Sequence, residues 1–296
     1  MTQITVLLST RNGVDVLPRV LEAYTGQKSV TFDWRIVVVD NDSTDGTPQI
    51  IHQYAPRLPL VGLKQVQPCK NKALNLGLGS VPGDVILTDD DGIPAPDFLA
   101  SWKKVLEGHL EYDLFGGRIE PLFEKPLPEW MMRSRFNWHI LFAMRDLPEG
   151  PMSEVEIFGP NMAVRGRVFE AGLRFNENIG PNGSKSYPMG SETEFCRRAG
   201  KAGHKAWFAR APQVQHIVRP HQLTTEFWLQ RSYRFGRGQA FQRGVSPEQP
   251  SARRNLHRAY LELASRLNPF PYRRFRAQWQ RQWNMGFADG LQERDK

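Results

Sequence analysis

The sequence predicts an α/β fold, a mostly parallel sheet flanked by helices. Two observations carry this prediction. Over the first hundred residues, short apolar runs rich in β-branched residues alternate with stretches of helical periodicity, the pattern of βαβ units. Two of those runs, 35–39 and 84–88, are followed by clusters of acidic and turn-forming residues. Crossovers of this kind put the loops after the strands along one edge, where open α/β sheets bind ligands.

The elements follow in order. Ile4-Thr5-Val6-Leu7-Leu8 reads as a buried strand. Asp15 is placed to cap the next helix, in which Val16, Leu17, Val20, Leu21 and Tyr24 recur at helical spacing. Residues 35–39 form a second strand, ending in the loop Asp40-Asn41-Asp42-Ser43-Thr44-Asp45-Gly46. Pro48 suits a first helical turn, so a helix through Ile50, Ile51 and Tyr54 is expected. A strand near 60–66, a helix around 71–78 and a strand over 84–88 complete the first half. Beyond it the pattern loosens. Strands are expected over 114–119 and 155–165, a helix over 191–201, and short strands at 206–208 and 213–218, together a mixed extension of the sheet. The stretch 121–153 reads as loop and short helix, and from Leu223 the signal is helical.

Composition bounds the possibilities. The 296 residues are 40% apolar and 24% charged, which excludes a disordered, collagen-like or disulfide-stapled chain. No apolar run approaches the roughly 18 residues a membrane-spanning helix needs. The first residues, MTQITVLLSTRNG, carry no basic region and no small-residue cleavage site, so a signal peptide is not expected. Cys69 and Cys196 lie far apart, fit no metal spacing and suit a reducing compartment. The net charge of +8 points to an anionic partner without naming it.

The chemistry concentrates in two acidic loops, Asp40/Asp42/Asp45 and Asp89-Asp90-Asp91. Consecutive carboxylates repel and raise one another's pKa. A hard divalent cation removes that penalty, and Mg²⁺ in particular is held by one or two carboxylates together with substrate phosphates. The competing reading is a solvated turn in which Asp90 and Asp91 cap the helix after Pro94-Ala95-Pro96. For Asp40 the competing reading is turn chemistry with Ser43, Asp45 and Gly46. Two acidic strand ends in one parallel sheet would nevertheless converge on one cleft.

The order of Thr10-Arg11-Asn12, Asp40-Asn41-Asp42-Ser43-Thr44-Asp45-Gly46-Thr47, Asn71-Lys72-Ala73-Leu74-Asn75 and Thr88-Asp89-Asp90-Asp91 resembles the family 2 glycosyltransferases of GT-A fold. The resemblance runs from residue 4 to about residue 240. It implies a Rossmann-like GT-A domain over 1–240, with a nucleotide-binding half at 1–110 and a donor-sugar and acceptor half at 111–240. A basic, aromatic helical segment, 241–296, follows. It also implies a nucleotide-sugar donor, commonly a UDP- or dTDP-sugar, and an Mn²⁺ or Mg²⁺ cofactor. Thr10, Arg11, Asp40, Lys72 and Asp90 match nucleotide-binding positions. Asp89 and Asp91 match the DXD metal motif, and His216 matches a metal-ligating histidine after the last short strand. A lone histidine is otherwise more often structural, and His221, five residues on, is easily confused with it.

Inverting transfer at an anomeric carbon requires a carboxylate to take the proton of the incoming hydroxyl. Gly190-Ser191-Glu192-Thr193-Glu194 is the candidate segment, and Glu192 and Glu194 compete for the role. Glu192 stands at the predicted helix N-terminus, where the dipole favours the ionised form. Glu194 lies four residues before Arg198, the favourable order for a surface ion pair. Phe158-Gly159-Pro160-Asn161-Met162 resembles the segment under the donor sugar. Gly180-Pro181-Asn182-Gly183-Ser184 reads as a loop, either plain surface or a cover that excludes water. Arginines 231, 234 and 237 suit either a diphosphate or a solvated basic helix.

Residues 251–283 carry eight arginines and one glutamate, interleaved with Tyr260, Phe270, Tyr272, Phe275, Trp279 and Trp283. This composition suits an anionic membrane surface, or a helix that buries its aromatics against the rest of the protein. Nucleic acid is not expected, since no recognised motif accompanies the arginines. Taken with the residues above, the resemblance implies a metal-dependent, inverting hexosyltransferase in glycan or polysaccharide assembly. Its expected location is the cytoplasm, either free or peripheral on the inner face of a membrane, with a glycan or lipid-linked acceptor. The rivals are a nucleotidyltransferase acting on sugar phosphates and a non-catalytic scaffold of the same fold.

Overall fold

The structure is a computed structural model that describes residues 3–133, 141–243 and 252–294. Its sheet has nine strands, with β7 lying beside β9 and the rest in the order β3-β2-β1-β4-β8-β6-β9-β5. The strands are β1 (Ile4–Thr10), β2 (Trp34–Asn41), β3 (Leu60–Gln65), β4 (Asp84–Leu87), β5 (Gly92–Pro94), β6 (Leu114–Phe123), β7 (Gly150–Met152), β8 (Met162–Val164) and β9 (Ala206–Val218). β3, β2, β1 and β4 pair in parallel. β4–β8, β6–β8, β5–β9 and β7–β9 pair antiparallel, which makes the mixed extension.

The central strands are apolar without alternation because helices cover both faces. On one face Val6, Leu8, Ile36 and Val38 join α1 (Leu17–Thr25), α2 (Thr47–Tyr54) and α4 (Phe98–Gly108) in a core that includes Tyr24, Phe98 and Trp102. On the other, Leu7, Val37 and Val39 meet α3 (Lys70–Leu78) and α7 (Ser191–Lys201) through Leu74, Phe195 and Ala199. The short helices α5 (Glu129–Arg133) and α6 (Gly166–Glu170) lie between these elements in the chain.

Three local expectations are corrected. Asp15 does not cap α1; Val16 occupies the cap position without a side-chain hydrogen bond, and a proline in the first turn sets the helical backbone. The strand expected over 155–165 is confined to β8, because two 3₁₀ turns, Glu154–Glu156 and Gly159–Asn161, precede it. Gly159-Pro160 interrupts the strand there, since proline has no N–H to give a ladder. The two short strands expected at 206–208 and 213–218 are one continuous β9. Pro212 is tolerated because it falls between the stretch paired with β7 and the stretch paired with β5.

The described residues form two compact units. The first comprises residues up to Leu122, 141–177 and Ser191–Ile217; the second comprises 123–133, Asn178–Gly190 and the residues from Val218 onward. In the second unit, α8 (Thr225–Arg243) crosses α10 (Pro271–Arg294) closely, and α9 (Ala252–Leu267) packs along α10. Gly236 and Gly286 permit the crossing, since a Cβ at either would lie about 2 Å from a carbonyl oxygen of the other helix. Ser232 Oγ donates to the Trp279 carbonyl at 2.7 Å, and Tyr233 donates to Asp289 at 2.6 Å. Phe275, Trp279 and Trp283 are therefore used inside this helical unit. Among the described residues no helix is long and apolar enough to cross a membrane.

Candidate active site

β2 and β4 are both parallel neighbours of β1, so the chain reverses its direction of sheet growth at β1. The loops after these strands open on a common edge there, the place where ligands bind in such sheets. The loops after β1 and β2 are knitted together. Asn12, in a left-handed conformation at φ 54°, accepts from Thr44 N at 2.8 Å, and its own N–H donates to Ser43 Oγ at 3.0 Å. Buried Asp40 accepts from Ser43 N at 3.1 Å. Arg11 is exposed beside them.

The three consecutive aspartates turn to three different partners. Thr10 Oγ1 donates to Asp90 Oδ2 at 2.6 Å. Asp89 Oδ1 accepts from Lys70 Nζ at 2.7 Å. Asp91 Oδ1 lies 3.4 Å from His216 Nε2. Neither Asp90 nor Asp91 caps α4, whose cap position is Asp97. The reach to His216 follows from register: β5 and β9 pair Gly92 with His216, and Ile217 N donates to the Asp91 carbonyl at 2.8 Å. His216 Nδ1 faces the Phe142 carbonyl at 3.0 Å, a contact that protonates Nδ1 and leaves Nε2 directed at Asp91. Burial works against the imidazolium, but the Asp91 charge and contact outweigh it, and the His216 pKa is raised.

Lys70 ties this loop to α7. It opens α3, whose start is held to the end of β2 by Asn41 Oδ1, which accepts from Cys69 N at 2.9 Å. Its ammonium also donates to Glu192 Oε1 at 3.0 Å. Burial disfavours the Lys70 charge, yet Asp89 and Glu192 together hold its pKa well above the ordinary value. Glu192 sits in the first turn of α7 and also accepts from Ser191 Oγ at 3.0 Å. Its burial opposes ionisation, but Lys70, its own backbone N–H and Ser191 prevail, so its pKa is lowered and it is a carboxylate at neutral pH. The Gly159 turn leaves the space it fills, since a Cβ there would lie 2.8 Å from Glu192 Oε1. A small cavity between Lys70, Asp89 and Glu192 is lined by Leu74, Leu87, Met162 and Phe175.

The other expected residues have different neighbours. Lys72 Nζ donates to Gln67 at 2.8 Å. Glu194 accepts a two-pronged ion pair from Arg198 at 2.6 and 2.9 Å. His221 is exposed and belongs to the second unit, where Arg234 donates to Tyr187 and Arg237 pairs with Glu293. Sequence reasoning passed over Lys70; a basic residue heading the helix before Asn71 was its one local sign.

Over residues 5–173 the sequence matches the model of glycosyl transferase family 2. The chain belongs to that family. No curated protein matches this glycosyltransferase. Solved structures do. The mannosyltransferase PcManGT of Pyrobaculum calidifontis, in complex with GDP-Man and Mn²⁺, superposes with a TM-score of 0.65 at 18% identity, over 99% of this chain and 88% of that one. TarS 1-349 of S. aureus, in complex with UDP-GlcNAc, gives a TM-score of 0.61 at 16% identity, over 98% and 81%. At this identity the likeness establishes the fold, GT-A, as the resemblance implied. Family membership decides against a nucleotidyltransferase.

Proposed function

We propose that this glycosyltransferase moves a sugar, with inversion, from a nucleotide-sugar to an acceptor hydroxyl in glycan or polysaccharide assembly. The observation that carries the reading is Lys70 bridging Asp89 of the β4 loop and Glu192 of α7. A cation and an ionised carboxylate thus stand together where the strand ends open.

Glu192 is the proposed base. Its carboxylate is ionised and is joined through Lys70 to the acidic loop, which supports its taking the proton of an acceptor hydroxyl, whereas Glu194 pairs with Arg198. Asp40, Thr10, Arg11, Asp90 and Lys72 are proposed to line the nucleotide. PcManGT is described with GDP-Man and TarS with UDP-GlcNAc, so the nucleoside diphosphate is their common element. UDP or dTDP is the nucleotide that the family resemblance implies. Lys70, beside Asp89, is placed to meet the diphosphate.

A divalent cation, Mn²⁺ or Mg²⁺, fits the donor set. Asp91 and His216 offer a carboxylate oxygen and an imidazole nitrogen 3.4 Å apart, with the other ring nitrogen fixed by a backbone carbonyl. Among the described residues no three His, Cys, Asp or Glu side chains form a metal-binding group. An ion held by Asp91 and His216 would complete its shell with substrate phosphate oxygens. When bound, the ion would neutralise charge on the leaving diphosphate as a Lewis acid. Asp89, expected as a further ligand, is paired with Lys70. A reducing, cytoplasmic setting suits Cys69 and Cys196, which are buried free thiols.

The test is product analysis with a panel of UDP-, dTDP- and GDP-sugars and Mn²⁺. Free nucleoside diphosphate and a sugar of inverted anomeric configuration by NMR are expected. Pyrophosphate release, or retained configuration, would overturn the reading.

A further inference from the structure

Among the described residues of the helical unit, α9 turns an apolar face to solvent. Along α9, Leu256 is 72% exposed, Tyr260 62%, Leu263 60% and Leu267 74%. They recur at intervals of four, three and four residues, so they share one helix face. The opposite face is the packed one: Leu261 and Ser265 are buried, and the Ser265 carbonyl accepts from Gln278 Nε2 of α10 at 3.1 Å. At the turn into α10 the exposed face continues through Pro269, Phe270 and Pro271.

Cations ring this apex. Arg266, Arg273, Arg274 and Arg276 are all exposed. The Arg273 guanidinium lies 5.1 Å from the Phe270 ring centre and 5.7 Å from that of Tyr272. The one acidic residue of the 251–283 stretch, Glu262, is shared by Arg266 and Arg281, each at 2.5 Å. An apolar face that ends among exposed arginines has two needs, removal from water and negative charge nearby. A second copy of the chain would meet the first need but set arginine against arginine. A bilayer of anionic lipid meets both.

We propose that the α9–α10 hairpin is a membrane-docking surface for anionic lipid, with Leu267 and Phe270 entering the interface and Arg266, Arg273, Arg274 and Arg276 facing the headgroups. The proposal is independent of the sugar-transfer reading. It revises the expectation for the basic segment as a whole, because Phe275, Trp279 and Trp283 are spent on packing and only the α9 face and the apex remain for lipid.

The test is sedimentation of the 296-residue chain with phosphatidylglycerol–phosphatidylcholine vesicles and with pure phosphatidylcholine vesicles. Binding to the anionic vesicles alone, weakened by salt, is expected. Removing three arginines (Arg273→Ala, Arg274→Ala, Arg276→Ala) should lower partitioning on the order of 100-fold, at about fivefold for each cation. Leu267→Ser with Phe270→Ser should lower it at least about tenfold. These side chains are exposed, so thermal melting should be unchanged. Equal binding by the parent and both variants, or no binding to anionic vesicles, would overturn the proposal. So would a stable dimer in sedimentation equilibrium that Leu263→Ser and Leu267→Ser dissolve, since the face would then be a self-pairing seam.

Discussion

Lys70 donates to Glu192 across 122 residues of sequence, at 3.0 Å, while holding Asp89 with the same ammonium at 2.7 Å. One charge thereby links the loop after β4, the start of α3 and the first turn of α7. The arrangement fixes the protonation state of the proposed base and places a cation beside the acidic loop, and the following expectations depend on it.

Replacing Glu192 by Gln keeps the shape and removes the proton acceptor. Turnover of a productive donor should fall by about 10²–10⁴ with the donor still bound. Glu194→Gln should leave turnover within a few-fold of the parent and cost about 1–3 kcal/mol of stability, because it weakens a partly buried, two-pronged pair with Arg198. Steady-state rates and urea unfolding of the two variants check this; equal losses in turnover would contradict it.

Lys70→Met leaves Asp89 and Glu192 without their shared cation in a partly buried site. A loss of about 1–3 kcal/mol is expected, together with weaker donor binding. Lys70→Arg should restore more stability than binding, since the guanidinium keeps the charge with a different reach. Urea unfolding and a donor titration separate the two effects.

The same cluster sets a pH window. The Glu192 carboxyl is held below the 4.5 of an ordinary glutamate, so its contribution is present above that pH and is lost as pH falls through the folded value. The Lys70 ammonium is raised from 10.5, so its contribution is present below that pH and is lost as pH climbs through the folded value. The stability difference between the parent and Glu192→Gln should therefore hold from about pH 5 to about pH 10 and shrink on the acid side. Unfolding free energies across pH measure it; a difference that grows on acidification would be inconsistent.

Asn161 anchors the turn that carries Gly159. It is fully buried; its amide donates to the Arg118 and Pro212 carbonyls, each at 2.9 Å, and its oxygen accepts from Trp102 Nε1 at 3.2 Å. Asn161→Ala leaves those groups unsatisfied and should cost about 2–4 kcal/mol. Gly159→Ala, by contrast, should disturb turnover more than stability, because its Cβ would press on the movable Glu192 side chain. Melting temperature and rate, measured on both, should diverge in opposite senses.

Much of the fold was legible because it rests on local pattern. The β1, β2 and β4 runs are apolar and β-branched, and α7 begins and ends where the sequence placed it, at Ser191 and Lys201. The acidic loops were visible as strand-end clusters. What escaped depends on contacts between distant segments. Lys70 has no periodic signature, and its partners lie 19 and 122 residues away. The two short strands expected at 206–208 and 213–218 are joined through Pro212, which falls between the stretch paired with β7 and the stretch paired with β5. The grouping of 123–133 and Asn178–Gly190 with the C-terminal helices is likewise a matter of tertiary contact. Aromatic content in the basic segment could not tell which rings pack inward, as Phe275 does, and which stay out, as Phe270 does.

The most direct measurement is the thermal shift produced by nucleotide-sugar and Mn²⁺ together, in the parent and in Asp91→Asn. A ligand that binds only the folded chain raises its melting point. The account predicts a shift in the parent that requires both metal and donor, and none in Asp91→Asn. An identical metal-dependent shift in the two proteins would contradict it.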